Sequence, residues 1–511
     1  MELSLIREKL SFSEHIFTEH AAAEESMDMI VPDALPDITR IICAEGEVFV
    51  RGKEADNGKV TVHGVVRTYV LYVPESDGAI RHMSMEIPYS ITMSDARITA
   101  GTRVSARVRL ESVDAHAVNP RKVSARASVR AGISCYNETD IDVPTAHGFE
   151  DNADIETLTG EAELSLPGDV CEKTFIVMDE VALPGPGPQF GEILSSRSAV
   201  VPEESKVVGT KLVFRGTAHT DILYSSPDGE VYAANFKIEF SQIMELENAN
   251  EDSVFELIPL VTGAYVEPIP GAENDAQRLS IEIHAVCQTV ALTKRRLSYV
   301  SDVYGTKYDV DANFQTIKTQ SRTAAHTGAT VLRGTLPAEN AARVVSVSAR
   351  VGACETHTEN DEPVIRAGVH VTGIYATQDG ELRSAAATFD ASAALTNVDG
   401  IENLVPHAET GRDLYGIAAD GGIEIRVPVE FFTAEIRDLE FAPLSGITYD
   451  DETPIDNAAR PSLVIARAKR GDTLWSIAKR YRATQEMVRE ANGMESGGVN
   501  EGEMLVVPKR R

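Results

Sequence analysis

The feature that most constrains the fold of this chain is a strand-and-turn pattern that occurs three times. Lys59 to Gly78 reads KVTVHGVVRTYVLYVPESDG, Lys211 to Gly229 reads KLVFRGTAHTDILYSSPDG, and Glu362 to Gly380 reads EPVIRAGVHVTGIYATQDG. Each run alternates apolar and polar residues as far as a tyrosine, and an Asp-Gly pair follows. The tyrosines, 152 and 151 residues apart, are Tyr72, Tyr224 and Tyr375, and the pairs are Asp77-Gly78, Asp228-Gly229 and Asp379-Gly380. Alternation with period two indicates a strand with one face on a core, and Asp-Gly favours a tight hairpin turn.

A second pattern upstream has the same offset. Pro36–Ile42 (PDITRII) and Pro188–Leu194 (PQFGEIL) are again 152 residues apart. Further strand-like runs follow in the three units, VSARVRLESV, RLSIEIHAVCQTVAL and IEIRVPVEFFTAEI, and their Val, Ile and Thr content favours β structure. The unit is too long for a solenoid repeat. The sequence therefore predicts a mainly β fold of three tandem antiparallel modules, sandwich or barrel-like, at residues 1–150, 151–305 and 306–440. An exposed Asp- and Pro-rich linker is predicted at 441–462.

The charge of the chain narrows its partners. It has 511 residues, with 48 Lys and Arg against 79 Asp and Glu, a formal net charge of −31. Residues 463–511 carry ten Lys and Arg against six Asp and Glu, a net charge of +4, which leaves −35 for the rest. An acidic body disfavours binding to nucleic acid or to an anionic membrane. No run approaches the roughly 18 to 20 apolar residues of a membrane-spanning helix, and the first residues show no secretory signal. We expect a cytoplasmic protein.

Motifs of catalysis and metal binding are missing from the sequence. It contains no HExxH, GxSxG, P-loop or CxxC pattern. His15 and His20 are five residues apart, a spacing that suits neither a zinc site nor a proton relay, and the acidic run Asp450-Asp451-Glu452 falls in the predicted linker. The odd number of dispersed cysteines indicates reduced thiols; they are Cys43, Cys135, Cys171, Cys287 and Cys354. We expect no enzymatic activity, no cofactor and no metal.

The last 49 residues have a different pattern, which reads strand, helix, helix, strand. Gly471-Asp472-Thr473 ends the first strand and caps a helix, since Asp and Thr side chains accept hydrogen bonds from its free amides. Leu474, Ile477, Ala478 and Tyr481 then form one apolar stripe. Thr484 caps a second helix, which Asn492-Gly493 ends, and Leu505-Val506-Val507 forms the closing strand before Pro508.

This C-terminal pattern resembles the LysM domain. The resemblance rests on Gly471–Ala478 (GDTLWSIA), Asn492, Gly502 and Leu505–Pro508 (LVVP). It implies a small βααβ domain at 463–511 with a groove for N-acetylglucosamine-containing glycans such as peptidoglycan. The groove would lie between loops 471–474 and 492–498. The second loop reads GMESGGVNEG instead of the Asn-Pro-Asx segment typical of the family. The predicted binding residues are Gly471, Asp472, Thr473, Leu474, Trp475, Lys479, Asn492, Gly493 and Met494.

Two features of this domain admit more than one interpretation. Trp475, the only tryptophan, is either an anchor for a partner or a packing residue at the edge of the helix stripe. The basic run is either a solvated helix face, a steering surface for an acidic partner, or a face held by the acidic body of the same chain. That run consists of Lys469, Arg470, Lys479, Arg480 and Arg482.

The body of the chain resembles SPOCS domains of spore-coat proteins. The residues that carry this likeness are Asp28–Asp33, Leu35–Ile38, the hairpin and Asn119–Lys122. SPOCS-like repeats followed by one LysM domain are similar to the SipL-like family of spore coat morphogenetic proteins. The resemblance implies a noncatalytic scaffold at the forespore surface in the mother cell, whose LysM domain docks a SpoIVA-like coat ATPase. The alternative is a protein that binds peptidoglycan of the spore cortex or cell wall, which the missing secretory signal disfavours.

Overall fold

A computed structural model describes residues 5–75, 79–144, 154–183, 190–269, 278–322, 326–396, 398, 401, 403–450, 452–455, 461–494 and 498–509. The described residues are almost entirely strands, and the two short helices lie near the C-terminus. The prediction of a mainly β fold that ends in a βααβ unit is confirmed. No helix among the described residues is long and apolar enough to cross a membrane.

The first repeat consists of two antiparallel three-stranded sheets. Its strands are β1 (Arg7–Ile30), β2 (Ile38–Asp56), β3 (Lys59–Pro74), β4 (Arg81–Ser94), β5 (Arg103–Asn119) and β6 (Lys122–Pro144). One sheet has the order β1-β6-β5 and the other has the order β2-β3-β4. Buried side chains of both sheets, among them Val62, Val70 and Ile133, form one core. The repeat is therefore a sandwich, because alternate residues of each strand face the opposite sheet.

The second repeat has the same plan. Its strands are β7 (Ile155–Ala182), β8 (Glu192–Val208), β9 (Lys211–Ser225), β10 (Val231–Glu245), β11 (Val254–Pro268) and β12 (Arg278–Gly305). The sheets have the orders β7-β12-β11 and β8-β9-β10. In both repeats the first strand pairs with the sixth, the sixth pairs with the fifth, and the middle three form their own sheet.

The third repeat keeps this plan but interrupts two strands. β14 (Ile317–Arg322) and β15 (His326–Leu336) together replace the first strand, and β19 (Leu404–Thr410) and β20 (Tyr415–Ala419) replace the fifth. All four pair with the sixth strand, β21 (Gly422–Phe441). The middle sheet is β16 (Ala341–Glu359), β17 (Glu362–Thr377) and β18 (Leu382–Ala394).

The three further runs predicted as strands all lie in strands: VSARVRLESV in the fifth strand of its repeat, and RLSIEIHAVCQTVAL and IEIRVPVEFFTAEI in sixth strands. The expectation about the linker needs correction. Residues 441–462 are not exposed linker throughout: β22 (Leu444–Tyr449) pairs with β13 (Val310–Phe314). Leu444 and Ile447 are buried there, and this burial supplies the hydrophobic stabilisation that an exposed linker lacks.

The repeated hairpin takes its expected form where it is described. The tyrosines that mark the pattern are buried near the end of each middle strand: Tyr72, Tyr224 and Tyr375. Gly229 and Gly380 have φ of 83° and 81°, a conformation that a glycine adopts without strain. Asp77-Gly78 lies outside the described residues.

The three repeats share one apolar cluster, which we call the junction cluster. A β-bulge falls at the same place in the second strand of every repeat, between Ile41 and Cys43, between Ile193 and Ser195, and between Val344 and Ser346. A bulge re-aims a side chain. The residues inside the bulges, Ile42, Leu194 and Val345, belong to the cluster. Two further sets of equivalent residues also belong to it: Leu71, Leu223 and Ile374, and Ile80, Val231 and Leu382.

Polar contacts around the junction cluster run cyclically. Three residues at equivalent positions of the second strand each contact a neighbouring repeat. The residue of the first repeat contacts the third repeat, that of the third contacts the second, and that of the second contacts the first. The pairs are Arg40 Nη2 to Leu382 O at 3.2 Å, Arg343 Nη1 to Val231 O at 3.3 Å and Glu192 Oε1 to His82 Nδ1 at 3.5 Å. Head-to-tail contacts that close on themselves make a ring. The repeats are therefore arranged around a pseudo-threefold axis.

One carboxylate connects all three repeats. Glu256 of the second repeat pairs with Arg107 of the first and Arg322 of the third, each at 2.7 Å. Burial acts to raise the pKa of Glu256, but the two arginines outweigh it and lower that pKa from 4.5 to about 2. Because its ionised form is favoured in the folded chain, its contribution to stability is complete above about pH 4.5 and disappears as the pH falls toward 2.

We expect Glu256→Gln to lower the free energy of unfolding by about 2 to 3 kcal/mol near pH 6, since about two pKa units are lost and the side chain is only partly exposed. The difference in the free energy of unfolding between Glu256→Gln and the unmodified protein should become smaller as the pH falls below about 4.5. Urea denaturation at several pH values measures this difference. Glu163→Gln, which removes an exposed partner of Arg296, is the control and should change stability by less than about 1 kcal/mol. A deficit for Glu256→Gln that is the same at every pH would contradict this role.

Candidate functional site

The C-terminal domain has the predicted order of elements. It consists of β23 (Leu463–Arg467), α1 (Leu474–Tyr481), α2 (Gln485–Asn492) and β24 (Met504–Pro508), and β23 pairs with β24. Thr473 caps α1: its side chain accepts from the Ser476 amide while the Ser476 side chain accepts from the Thr473 amide. Thr484 caps α2 by accepting from the Met487 amide. Each helix is short, so these caps satisfy a large share of its free amides.

The two loops predicted to bind a ligand divide into exposed and structural residues. Gly471, Thr473 and Gly493 are exposed. The Asp472 carboxylate instead accepts from the Lys469 amide at 2.9 Å and pairs with Arg480 at 2.6 Å. Two of these three exposed positions are glycines, which offer only backbone hydrogen-bonding groups to a ligand. Residues 495–497 of the predicted second loop lie outside the described part of the chain.

Asn492 holds the second helix to the closing strand. Its side-chain nitrogen Nδ2 donates to Val488 O and Val506 O, and its side-chain oxygen Oδ1 accepts from the Val506 backbone amide, each at 2.7 Å. All three contacts lie inside the domain. Gly493 follows with φ of 60° and caps the helix, and Met494 packs on the domain core. Asn492 is thus a structural clamp beside the loop.

Trp475 packs inward, against the second repeat. The side chain is 6% exposed and belongs to the same core cluster as Leu474 and Tyr304. The rings of Trp475 and Tyr304 meet edge to face at 4.8 Å, a favoured aromatic arrangement. Trp475 Nε1 donates to Asp302 Oδ2 at 2.8 Å, and Tyr304 Oη donates to Ala483 O at 2.7 Å. The end of β12 therefore completes the core of the C-terminal domain.

Charged residues reinforce this attachment, and their positions separate the interpretations of the basic run. Lys479 Nζ pairs with Asp302, and Arg482 pairs with Asp309, each at 2.5 Å. Although burial acts to raise the pKa of Asp302, its hydrogen bonds from Lys479 and Trp475 lower that pKa below 3.8. Two cations of the run are thus held by the acidic body, while Lys469 and Arg470 remain exposed.

The predicted site residues therefore fall into three groups. The loop positions Gly471, Thr473 and Gly493 remain accessible, and the helix positions Trp475 and Lys479 face the body of the same chain. The other four make their contacts inside the domain: Asp472, Leu474, Asn492 and Met494. Sequence reasoning missed Asp302, Tyr304 and Asp309, which receive the helix. The residues that these three contact, Trp475, Ala483 and Arg482, lie 173 to 179 positions further along the chain, so no local pattern marks the pairing.

The motif that carries the likeness to SPOCS domains forms a structural clamp. The Arg121 guanidinium donates to Leu35 O at 2.8 Å and Val31 O at 3.0 Å, and pairs with Asp37 at 3.0 Å and Asp33 at 3.2 Å. Nη1 contacts Leu35 and Asp37 and Nη2 contacts Val31 and Asp33, a division that the several donors of the planar arginine fork allow. The clamp holds the loop between β1 and β2 against the turn between β5 and β6.

The described part of the chain contains no group of three or more His, Cys, Asp or Glu side chains that could hold a metal. Its cysteines are unpaired, and burial raises the pKa of Cys135 and Cys287 to about 12. Thiols with such pKa values are poor nucleophiles at neutral pH.

Comparison with known families agrees with both resemblances. Residues 37–118 and 189–275 match the family described as SipL, SPOCS domain, and residues 467–508 match the LysM domain. The two SPOCS segments include the second to fifth strands of the first and second repeats. The third repeat lies outside them but has the same strand order. No curated protein and no solved structure matches the chain. Tandem SPOCS segments are typical of a protein related to the spore coat, and the C-terminal LysM domain is a peptidoglycan-binding type of module. SPOCS and LysM are both domains of binding and scaffolding.

Proposed function

We propose that this chain is a noncatalytic scaffold of endospore coat assembly, in which the LysM domain docks a SpoIVA-like coat ATPase at the forespore surface in the mother cell. The observation that supports it is the attachment of the LysM domain to a continuous three-repeat body through Trp475, Lys479 and Arg482. A domain held in this way presents its loops in a defined direction. A partner bound there is thereby placed at a fixed position relative to the body.

The surface available to such a partner is basic. Lys469 and Arg470 are exposed beside the loop that begins at Gly471, and neither has a described ion-pair partner. A small cationic surface on an otherwise acidic chain steers an acidic partner toward that surface. The three repeats supply further surface for protein contacts, and several weak sites on one chain raise the effective concentration of its partners.

The test is a pull-down of a purified SpoIVA-like ATPase by the full chain. We expect the double charge reversal Lys469→Glu with Arg470→Glu to reduce retention of the ATPase at least about tenfold, since two steering charges are inverted. Lys206→Glu with Arg215→Glu reverses two exposed charges of the second repeat and is the matched control, expected to retain the ATPase normally. Equal retention by the chain that lacks residues 463–511 would contradict the proposal.

The second candidate is binding of peptidoglycan, which the LysM match and the exposed loop positions Gly471, Thr473 and Gly493 support. Backbone donors and acceptors at such positions suit the hydroxyl and acetamido groups of N-acetylglucosamine. Sedimentation of the full chain with purified peptidoglycan separates the two candidates. Saturable binding that the deletion of 463–511 abolishes would favour the glycan, whereas retention of the ATPase alone would favour the scaffold.

A further inference from the structure

A cavity of about 360 Å³ lies where the three repeats meet. Most of its wall comes from the second and fifth strands of every repeat, β2 and β5, β8 and β11, β16 and β19. Isolated positions on β1, β6 and β9 and the segment after β19, which carries Arg412, complete it. On β8 the wall begins at Arg197, three residues after the junction-cluster residue Leu194. The cavity is thus built around the same pseudo-threefold axis, and its volume is in the range of small-ligand sites.

Arginine dominates the charged part of the wall. Six arginines and three carboxylates line the cavity. The arginines are Arg107, Arg109, Arg130, Arg197, Arg350 and Arg412. One of the carboxylates, Glu47, is deeply buried, and burial raises its pKa to about 8. It therefore remains largely protonated at neutral pH and adds little negative charge. The wall of this cavity is therefore positively charged, although the chain as a whole is acidic.

Three of these arginines have no carboxylate partner among the described residues. Arg197 is paired with Asp221 at 3.0 Å, and Arg107 and Arg130 are also paired. Arg109 donates only to backbone carbonyls, at 2.6 and 3.2 Å. Arg350 and Arg412 form no described ion pair. Folded proteins rarely leave buried charges unpaired, so Arg109 and Arg350, which are only partly exposed, require an explanation; Arg412 is exposed.

Arg350 is the most informative of the three. Its Nη2 is fully buried and has no hydrogen-bond acceptor in the described part of the chain, and the same is true of Arg197 Nε. Arg350 lies on β16 and pairs in register with His370. The equivalent position of the first repeat is Glu47 on β2, which pairs in register with Arg67. A buried guanidinium group without an acceptor is unfavourable, and the third repeat carries it where the first repeat carries a carboxyl group.

Like charges also crowd one another here. Burial lowers the pKa of Arg350 and of Arg412, and the nearby Arg197 acts in the same direction on both. Nearby carboxylates oppose this lowering, Glu45 at Arg350, and Asp221 and Glu409 at Arg412, without forming a described ion pair with either arginine. A multivalent anion among these guanidinium groups would turn repulsion into attraction. Arg412 is exposed at its end of the wall, which gives a ligand a route from solvent.

We infer that the cavity binds a small multivalent anion with phosphoryl or carboxylate groups, held by Arg109, Arg350 and Arg412. The planar guanidinium fork matches both groups with paired hydrogen bonds. Because the wall comes from all three repeats, the bound anion ties the repeats together and stabilises the folded chain by mass action. Nothing in the proposed scaffold role requires this site.

The experiment is calorimetric titration of the full chain with inorganic pyrophosphate and, separately, with citrate, with NaCl at matched ionic strength as the reference. We expect saturable binding of at least one of the two anions and a rise in melting temperature that NaCl does not reproduce. Tighter binding of pyrophosphate would identify phosphoryl chemistry, and tighter binding of citrate would identify carboxylate chemistry. Absence of saturable binding of both anions would overturn the inference.

Substitution of Arg350 locates the site. Arg350→Gln should weaken binding at least about tenfold through the loss of a charge-assisted contact. Without anion it should leave the melting temperature unchanged or raised, because an unpaired buried charge has been removed. Arg295→Gln, at an exposed position on β12, is the matched control and should bind normally. A lower melting temperature of Arg350→Gln with unchanged anion affinity would mean a purely structural arginine and would contradict the inference.

Discussion

Trp475→Ala is expected to lower the free energy of unfolding of the C-terminal domain by about 3 to 5 kcal/mol, the range for a large aromatic removed from a core. The indole is 6% exposed, meets the Tyr304 ring at 4.8 Å and donates to Asp302. Its removal leaves a cavity and also deprives the partly buried Asp302 of a donor. Thermal unfolding of the full chain, followed by circular dichroism and calorimetry, measures the loss.

Two further variants show what the loss represents. Trp475→Phe keeps one six-membered ring and removes the donor to Asp302 together with the rest of the indole, so a smaller loss of about 1 to 2 kcal/mol is expected. Met504→Ala truncates an apolar side chain that is 59% exposed in the same domain and should have little effect. If Trp475→Ala were as stable as Met504→Ala, the indole would not be part of the core. Peptidoglycan or ATPase binding by each variant should be compared only where its fold is intact.

Leu194→Ala is expected to destabilise the body of the chain by about 2 to 5 kcal/mol. Leu194 is 0% exposed and lies in the bulge of the second repeat, inside the cluster shared by all three repeats. Truncation leaves a cavity at the axis, where residues of three repeats would all have to move to fill it. Urea denaturation measures the change in the free energy of unfolding.

The matched control is Val208→Ala on the same strand, where the side chain is 58% exposed. It should change stability by less than about 0.5 kcal/mol. The ring arrangement also predicts that Leu71→Ala, at a fully buried position of the first repeat in the same cluster, is destabilising to a similar extent. A loss below about 1 kcal/mol for both leucines would show that the repeats do not depend on the junction cluster.

Local patterns in the sequence were sufficient for the hairpins and for the LysM fold. Period-two alternation and Asp-Gly turns are short-range signals, and they predicted β9 with its turn at Gly229 and β17 with its turn at Gly380. Helix caps are equally local, so Thr473, Thr484 and Gly493 were predicted to begin and end helices where they do. The domain boundaries and the binding role of the loop residues remain predictions.

Longer-range features escaped the sequence patterns. The first and sixth strands of each repeat pair residues that are 87 to 150 positions apart, from Leu336 with Ile423 to Ile155 with Gly305, and no short motif encodes such a pairing. The Asp- and Pro-rich composition around strand β22 predicts a linker, although Leu444 and Ile447 are buried by distant strands. Burial by distant partners overrides local composition.

By itself the sequence determined the repeat, because side-chain periodicity and turn residues act between near neighbours and survive in each copy. It also determined the C-terminal βααβ unit, whose caps and apolar stripe lie within 49 residues. Only the tertiary structure decided how the copies close around one axis, that Glu256 joins three repeats and that Asp302 receives Trp475. These contacts join residues 66 to 173 positions apart in the chain, and the positions of such distant residues follow from the packing of whole sheets.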